Sequence, residues 1–173
     1  MITISSGHWK VGTGAKGYID EVTEARKIVT QVGQILKKRD VNHIVIIDNV
    51  SNNVKENLHY LITQHEKYKK AQHVSIHFNS CAGTYHRPIG CEVLYKGSNM
   101  KSLAEQMSYE ICAVSKLKNR GAKIRTNLRF LNSFPSNSIL IEVCFVNSKT
   151  DVELYQKSFQ QICLTIANIL ASK

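Results

Sequence analysis

Short apolar runs alternate along the chain with longer amphipathic stretches. The apolar runs predict five strands, at residues 2–5, 43–48, 73–79, 90–95 and 139–146, and a weaker sixth strand near residues 128–131. In the longer stretches apolar residues recur every three or four positions, which predicts helices over residues 21–39, 54–68, 99–118 and 152–171. This alternation is typical of an α/β domain in which helices cover a mostly parallel sheet.

The size of the chain favours one domain. It has 173 residues, of which 43% are apolar, enough for one ordinary core, so we expect a single domain over residues 1–173. The five cysteines show no C-x-x-C spacing and mostly lie in apolar runs, so we expect small buried side chains rather than disulfides. No apolar run approaches the roughly 18 residues of a membrane span, and no signal peptide is evident, so we expect synthesis in the cytoplasm.

The charge of the chain predicts attraction to a polyanion. Its formal net charge is +10, which suits nucleic acid, an acidic membrane or an anionic bacterial cell wall. The basic residues are scattered through the predicted helices, without an RNA-binding motif or an obvious recognition helix. We therefore expect neither a nucleic-acid nor a membrane partner.

Two predicted strands carry polar residues where apolar ones are expected. Glu142 lies in the middle of the run Ile139-Leu-Ile-Glu142-Val, where an unpaired carboxylate would cost several kcal/mol. It is either part of a structural ion pair, at a strand end that reaches solvent, or in a functional cavity. In residues 74–79 alternation places Ser75, His77 and Asn79 on one face, so His77 is either a hydrogen-bonded structural residue or a ligand.

Two further residues are predicted to lie near the same edge of the sheet. His8 follows the first strand, and ligand sites in open α/β sheets lie beyond the carboxyl ends of strands. At about 100° per residue, Glu21 projects onto the apolar stripe of the first helix, whereas Glu24 lies roughly 90° away from it. Glu21 is either a carboxylate favoured by the helix dipole or a side chain aimed at this edge.

Together these four residues fit one chemistry. Two imidazoles and one carboxylate form the three-ligand set of a catalytic zinc site, and a further carboxylate is what such a site needs as general base and acid. The sequence therefore favours one zinc ion per chain.

The same residues lie in segments that resemble the zinc-dependent N-acetylmuramoyl-L-alanine amidases of the amidase 3 type, particularly endolysin catalytic domains of phages of Gram-positive hosts. The segments follow the family order over nearly the whole chain: 6–8, Glu21, 75–80, 90–95, 119–123, 128–133 and 140–147, followed by Asp151. The resemblance implies a six-stranded mixed sheet, zinc bound by His8, Glu21 and His77, and Glu142 as the catalytic carboxylate. Trp9 and Ala25 depart from the usual family pattern.

The resemblance also implies a substrate and an action on the cell wall. The implied reaction hydrolyses the amide bond between N-acetylmuramic acid and L-alanine in peptidoglycan, after release to the wall, and we expect no protein partner. Arg120, Lys123 and Asn132 are candidates for contacts with sugar or peptide carboxylates, or else belong to a solvated basic loop. The alternative functions are a zinc peptidase that cuts the stem peptide and a noncatalytic module that binds the wall or nucleic acid.

Overall fold

The computed structural model describes residues 1–172, which form one six-stranded mixed sheet between helices. The strands are β1 (Ile2–Ser6), β2 (His43–Ile46), β3 (Gln72–Asn79), β4 (Cys91–Tyr95), β5 (Asn119–Ile124) and β6 (Ser138–Phe145). The helices are α1 (Glu21–Lys38), α2 (Val54–Glu66), α3 (Lys101–Ser115), α4 (Arg129–Ser133), α5 (Lys149–Lys157) and α6 (Phe159–Ala171).

The strands lie side by side in the order β2-β1-β3-β6-β4-β5. The first four are mutually parallel, whereas β4 runs antiparallel to β6 and β5 runs parallel to β4. The carboxyl ends of β1, β3 and β6 therefore meet the amino-terminal ends of β4 and β5 at one edge of the sheet. We call this the upper edge.

The two faces of the sheet are covered differently. One face packs against α1, α3 and α6 and contains the main core, to which Ile4, Ile76, Val93 and Ile141 contribute. The other face has a smaller apolar cluster, built from Leu94 and Leu140 of the sheet together with Ile62 of α2 and the aromatic residues of α4. This second face is the one that carries polar side chains near the upper edge.

The predicted fold class is confirmed, but three element predictions were wrong. Residues 128–131 do not form a strand; α4 begins there and turns Phe130 and Leu131 into the smaller cluster. The four residues Leu128-Arg-Phe-Leu131 are too few to distinguish a strand from one helical turn. Strand β5 was missed. The predicted last helix is divided at Ser158 into α5 and α6, and the sequence did not indicate this break because apolar periodicity continues across it.

The prediction that the cysteine side chains are buried is confirmed for four of the five. Cys81 is exposed. Within residues 1–172, no helix combines the length and apolar character needed to cross a membrane.

Candidate active site

A row of polar side chains crosses three neighbouring strands next to the upper edge. His77 of β3 is paired in register with Glu142 of β6, and Glu142 is paired in register with Glu92 of β4. Residues paired in register point to the same face of a sheet, so these three side chains lie together. The β3–β6 register shifts by one residue just beyond His77, and irregularities of this kind are frequent next to active sites.

His8 approaches this row from the loop that follows β1. Its φ of 60° is unusual for a residue other than glycine, and it turns the chain sharply after the strand. Two glycines make room for the site: a Cβ on Gly7 would overlap the His77 ring, and one on Gly14 would lie 2.6 Å from Oε2 of Glu21. The sequence around His8 therefore leaves space for the two imidazoles to approach one carboxylate.

Glu21 is the first residue of α1, and its side chain contacts both His8 and His77. The helix is capped by Asp20, whose side chain accepts a hydrogen bond from Thr23 N–H. The Glu21 side chain is 3% exposed, with Oε1 2.9 Å from His77 Nδ1 and Oε2 3.1 Å from His8 Nε2. Its position at the start of the helix thus brings one carboxylate to both imidazoles.

Two backbone groups fix the Glu21 carboxylate. The N–H of Phe78 donates to Oε1 at 3.1 Å, and the N–H of Ala15 donates to Oε2 at 2.6 Å. Glu24, one turn later, lies outside the site: it is also buried, and it contacts Lys27 Nζ at 2.7 Å and Tyr155 Oη at 2.8 Å. The predicted difference in direction between Glu21 and Glu24 is therefore present in the structure.

His8, Glu21 and His77 offer a set of atoms of the kind that binds a metal ion. One ligand atom from each lies within 4.8 Å of the others, and they are the only such group of three among residues 1–172. Atoms that bind one tetrahedral zinc ion at about 2.0–2.2 Å lie about 3.3–3.6 Å apart, so small movements would bring these three into place. The chemistry and the spacing of the donor set both fit zinc.

The charges of this cluster are strongly coupled. Burial alone would raise the pKa of Glu21, but hydrogen bonds and positive charge from His77 and His8 hold it well below its ordinary value. Burial lowers the pKa of His77, and Glu21 and Glu142 more than offset this, so its pKa is raised. Glu21 is therefore ionised at neutral pH, the form in which a carboxylate binds a metal.

Glu142 lies beside the cluster and is not one of its three members. Its side chain is half-buried, and Oε2 is buried without a hydrogen-bond partner among residues 1–172. Burial raises the pKa of Glu142 to about 7; His77 and Arg125 lower it, whereas Glu21 and Glu92 raise it further. A carboxyl group with this pKa can both accept and donate a proton near neutral pH.

The three predicted substrate residues have different surroundings. Arg120 and Lys123 do not lie in a solvated loop: both belong to β5 and form ion pairs with Glu92, at 2.6 and 2.5 Å. Asn132 of α4 is exposed and donates to the carbonyl of Thr126, in the loop before the helix, at 3.0 Å. Glu92 was missed as a candidate, although an acidic residue inside the apolar run Cys91-Glu92-Val-Leu is the same signal that identified Glu142.

Known proteins are similar to this chain over most of its length. A family model described as N-acetylmuramoyl-L-alanine amidase matches residues 2–172. An uncharacterized 38.4 kDa protein of Clostridium perfringens is 30% identical over 160 residues, which are 90% of this chain and 46% of that protein. The chain spans about half the length of the curated relatives it matches.

Solved structures share the fold over nearly the full length. The catalytic domain of an endolysin targeting Clostridia Difficile has a TM-score of 0.84 and 24% identity, covering 99% of this chain and 97% of that one. An N-acetylmuramoyl-L-alanine amidase from Clostridium difficile 630 has a TM-score of 0.79 and 21% identity, covering 99% and 95%. With the family match over residues 2–172, these findings show that the chain belongs to the amidase 3 family of N-acetylmuramoyl-L-alanine amidases.

Proposed function

We propose that this chain is a zinc-dependent amidase that hydrolyses the bond between N-acetylmuramic acid and L-alanine in peptidoglycan. The observation that carries the proposal is the position of a carboxylate oxygen without a partner, in Glu142, directly beside the three-residue cluster. Membership of a family that is generally zinc-dependent supports both the reaction and the metal.

His8, Glu21 and His77 would hold the zinc ion. Three protein ligands leave one position open, and zinc in such a site supplies Lewis acidity that polarises a carbonyl group and acidifies water. The backbone N–H groups of Ala15 and Phe78 fix the orientation of the Glu21 carboxylate, as groups behind a metal ligand commonly do.

Glu142 moves the proton. In its ionised form it accepts a proton from the water molecule that attacks the carbonyl carbon of the lactyl amide. The same carboxyl group then donates this proton to the nitrogen of the departing L-alanine as the carbon–nitrogen bond breaks. The raised pKa of Glu142 supports both roles, because the protonated and ionised forms are both accessible near neutral pH.

The substrate would be held on the same face of the sheet. Arg120 and Lys123 lie across Glu92 from Glu142 and carry positive charge towards the carboxylates of the stem peptide. Asn132 belongs to α4 and is proposed as an outer contact.

The site of action is proposed to be the bacterial cell wall, reached after release from the cell that makes the protein, as in a phage endolysin. The net charge of +10 supports attraction to an anionic wall, and the fold of an endolysin catalytic domain supports the biological role. The absence of a protein partner stays a prediction.

Digestion of purified cell wall tests the reaction. An amidase releases peptides that begin with free alanine and leaves the glycan strands intact, and a chelator should abolish the loss of turbidity. Peptides cut within the stem would instead indicate a peptidase. No loss of turbidity with zinc-loaded protein would indicate a noncatalytic module.

The substitution Glu142→Gln tests the mechanism. It keeps the size of the side chain but removes the proton acceptor, so wall hydrolysis should fall by about 100- to 10,000-fold while zinc content stays near one per chain. Glu24→Gln is the matched control, because Glu24 is also a buried carboxylate but lies outside the site. Loss of zinc from Glu142→Gln would make Glu142 a ligand, and near-normal hydrolysis would make it structural.

A further inference from the structure

Glu92 is a buried carboxylate to which neither the metal site nor the proton transfer assigns a role. It is 3% exposed and lies directly across from Glu142 in the antiparallel β4–β6 pair. Its Oε2 accepts from Arg120 Nε at 2.6 Å and from Lys123 Nζ at 2.5 Å, and its Oε1 accepts from Asn79 Nδ2 at 3.3 Å. One carboxylate thus joins two cations from a neighbouring strand beside the proposed catalytic group.

An irregularity in β5 brings both cations to the same side of the sheet. In a regular strand, residues three positions apart face opposite sides. Here Asn119 is paired with Cys91 and Ala122 with Val93, so β5 contains one extra residue, and Gly121 has a φ of 77° at that point. Arg120 and Lys123 therefore both face Glu92, a placement that strict alternation does not produce.

Both cations keep donors that the protein does not use. Among residues 1–172, Arg120 donates only through Nε, so its two terminal nitrogens have no partner, and Lys123 Nζ contacts only Glu92. Arg120 also stacks over the Phe145 ring at 5.0 Å, which further fixes the guanidinium plane. The two side chains are 31% and 30% exposed, so a ligand can reach them.

The charge of this group is positive and stable. Burial raises the pKa of Glu92, but hydrogen bonds and positive charge from Lys123 and Arg120 hold it below its ordinary value. Glu92 therefore stays ionised and does not transfer protons, and two cations with one carboxylate leave a net charge of +1. A guanidinium edge next to an ammonium group matches the geometry of a carboxylate ligand.

We propose that Glu92 is a positioning residue that holds Arg120 and Lys123 as a binding site for a free carboxylate of the peptidoglycan stem peptide. This deepens the function proposed above and rests on it. The two cations lie on β5, two strands away from Glu142 on β6, so a stem peptide whose carboxylate is bound there extends away from the scissile amide along the second face of the sheet.

The test compares two muropeptides that differ only in a free carboxylate or a carboxamide on the stem peptide. Their Kd values are measured by calorimetry on Glu142→Gln protein loaded with zinc, which binds substrate with little turnover. The carboxylate form should bind about 10- to 100-fold more tightly, the range for charge-assisted hydrogen bonds. Adding Glu92→Gln should bring the ratio of the two Kd values towards one, whereas the matched change Glu24→Gln should leave it unchanged.

Each other outcome has a definite meaning. Equal Kd values before any change at Glu92 would overturn the proposal. An unchanged or larger ratio of the two Kd values in the Glu92→Gln protein would also overturn the proposal, because Glu92 would then only weaken the attraction of the two cations for the ligand. If Glu92→Gln does not fold, Arg120→Gln and Lys123→Gln replace it, and an unchanged ratio in both would be decisive against the site. If the unsubstituted protein cleaves neither muropeptide but the ratio of the two Kd values is as predicted, only the proposed amidase function is overturned.

Discussion

Acidification from pH 7 to pH 5 should destabilise the protein through two buried histidines far from the proposed chemistry. His65 of α2 and His73 of β3 are both 0% exposed, and their Nδ1 atoms lie 2.7 and 2.6 Å from the hydroxyl oxygen of Thr3. One hydroxyl group can donate to one neutral imidazole and accept from the other. Neither Nε2 atom has a partner among residues 1–172, so a proton added there would lack an acceptor.

The size of the effect follows from the pKa values. Burial lowers the pKa of His65 to about 3, with a contribution from the charge of His73, and burial lowers the pKa of His73 to about 4. Both lie below the unfolded value of 6.5, so the unfolded chain binds more protons in acid. The stabilisation is complete above pH 6.5 and is lost as the pH falls towards 4 and 3. From pH 7 to pH 5 each histidine should contribute a loss of about 2 kcal/mol.

Urea unfolding of matched variants measures this contribution. Between pH 7 and pH 5 the free energy of unfolding should fall in both proteins. The fall should be about 2 kcal/mol smaller in His65→Gln than in the unsubstituted protein. His59→Gln, at an exposed position on the same helix, is the matched control for replacing a histidine. The titrating groups other than His65 and its neighbour His73 keep their surroundings, so their contributions cancel in the difference. Equal pH dependence in His65→Gln and the unsubstituted protein would refute the reasoning.

Two further predictions concern the proposed metal site. Glu21→Ala should lose zinc and wall hydrolysis, while Glu24→Ala should keep one zinc per chain and remain active; elemental analysis with a turbidity assay checks both, and the reverse pattern would contradict the ligand assignment. Gly7→Ala should displace the His77 ring, because the added Cβ would overlap it, and should weaken zinc binding by at least about 10-fold in a competition titration, as disturbed ligand support typically does. Unchanged zinc affinity would show that the loop can move aside.

The periodic parts of the sequence predicted most of the fold. Alternation in residues 74–79 and the apolar run around Glu142 correspond to β3 and β6, which are neighbours in the structure. The helical phase of residues 21–39 predicted the inward direction of Glu21. These signals are local, since a side chain's direction within a regular element depends only on the period of that element.

Predictions failed where tertiary packing determines local structure. The segment of α4 has too few residues to show a period, and its helical turn is fixed by packing on α2 and β6. Similarly, β5 contains Arg120, Gly121 and Lys123, and its extra residue removes the alternation by which a strand is identified. The contact of His73 with His65 joins two elements, and no local pattern predicts it.

The arrangement of the sheet explains why the sequence indicated only part of the candidate site. In parallel sheets functional residues are expected after the carboxyl ends of strands, and that expectation brought together His8, His77 and Glu142. Strands β4 and β5 run in the opposite direction, so it is their beginnings that reach the upper edge. Glu92 and Arg120 lie near the beginnings of those strands and face the same row. Because the reversal follows from strand pairing rather than from any local motif, a search for polar residues at the carboxyl ends of strands finds His8, His77 and Glu142 but misses the carboxylate that holds the neighbouring cations.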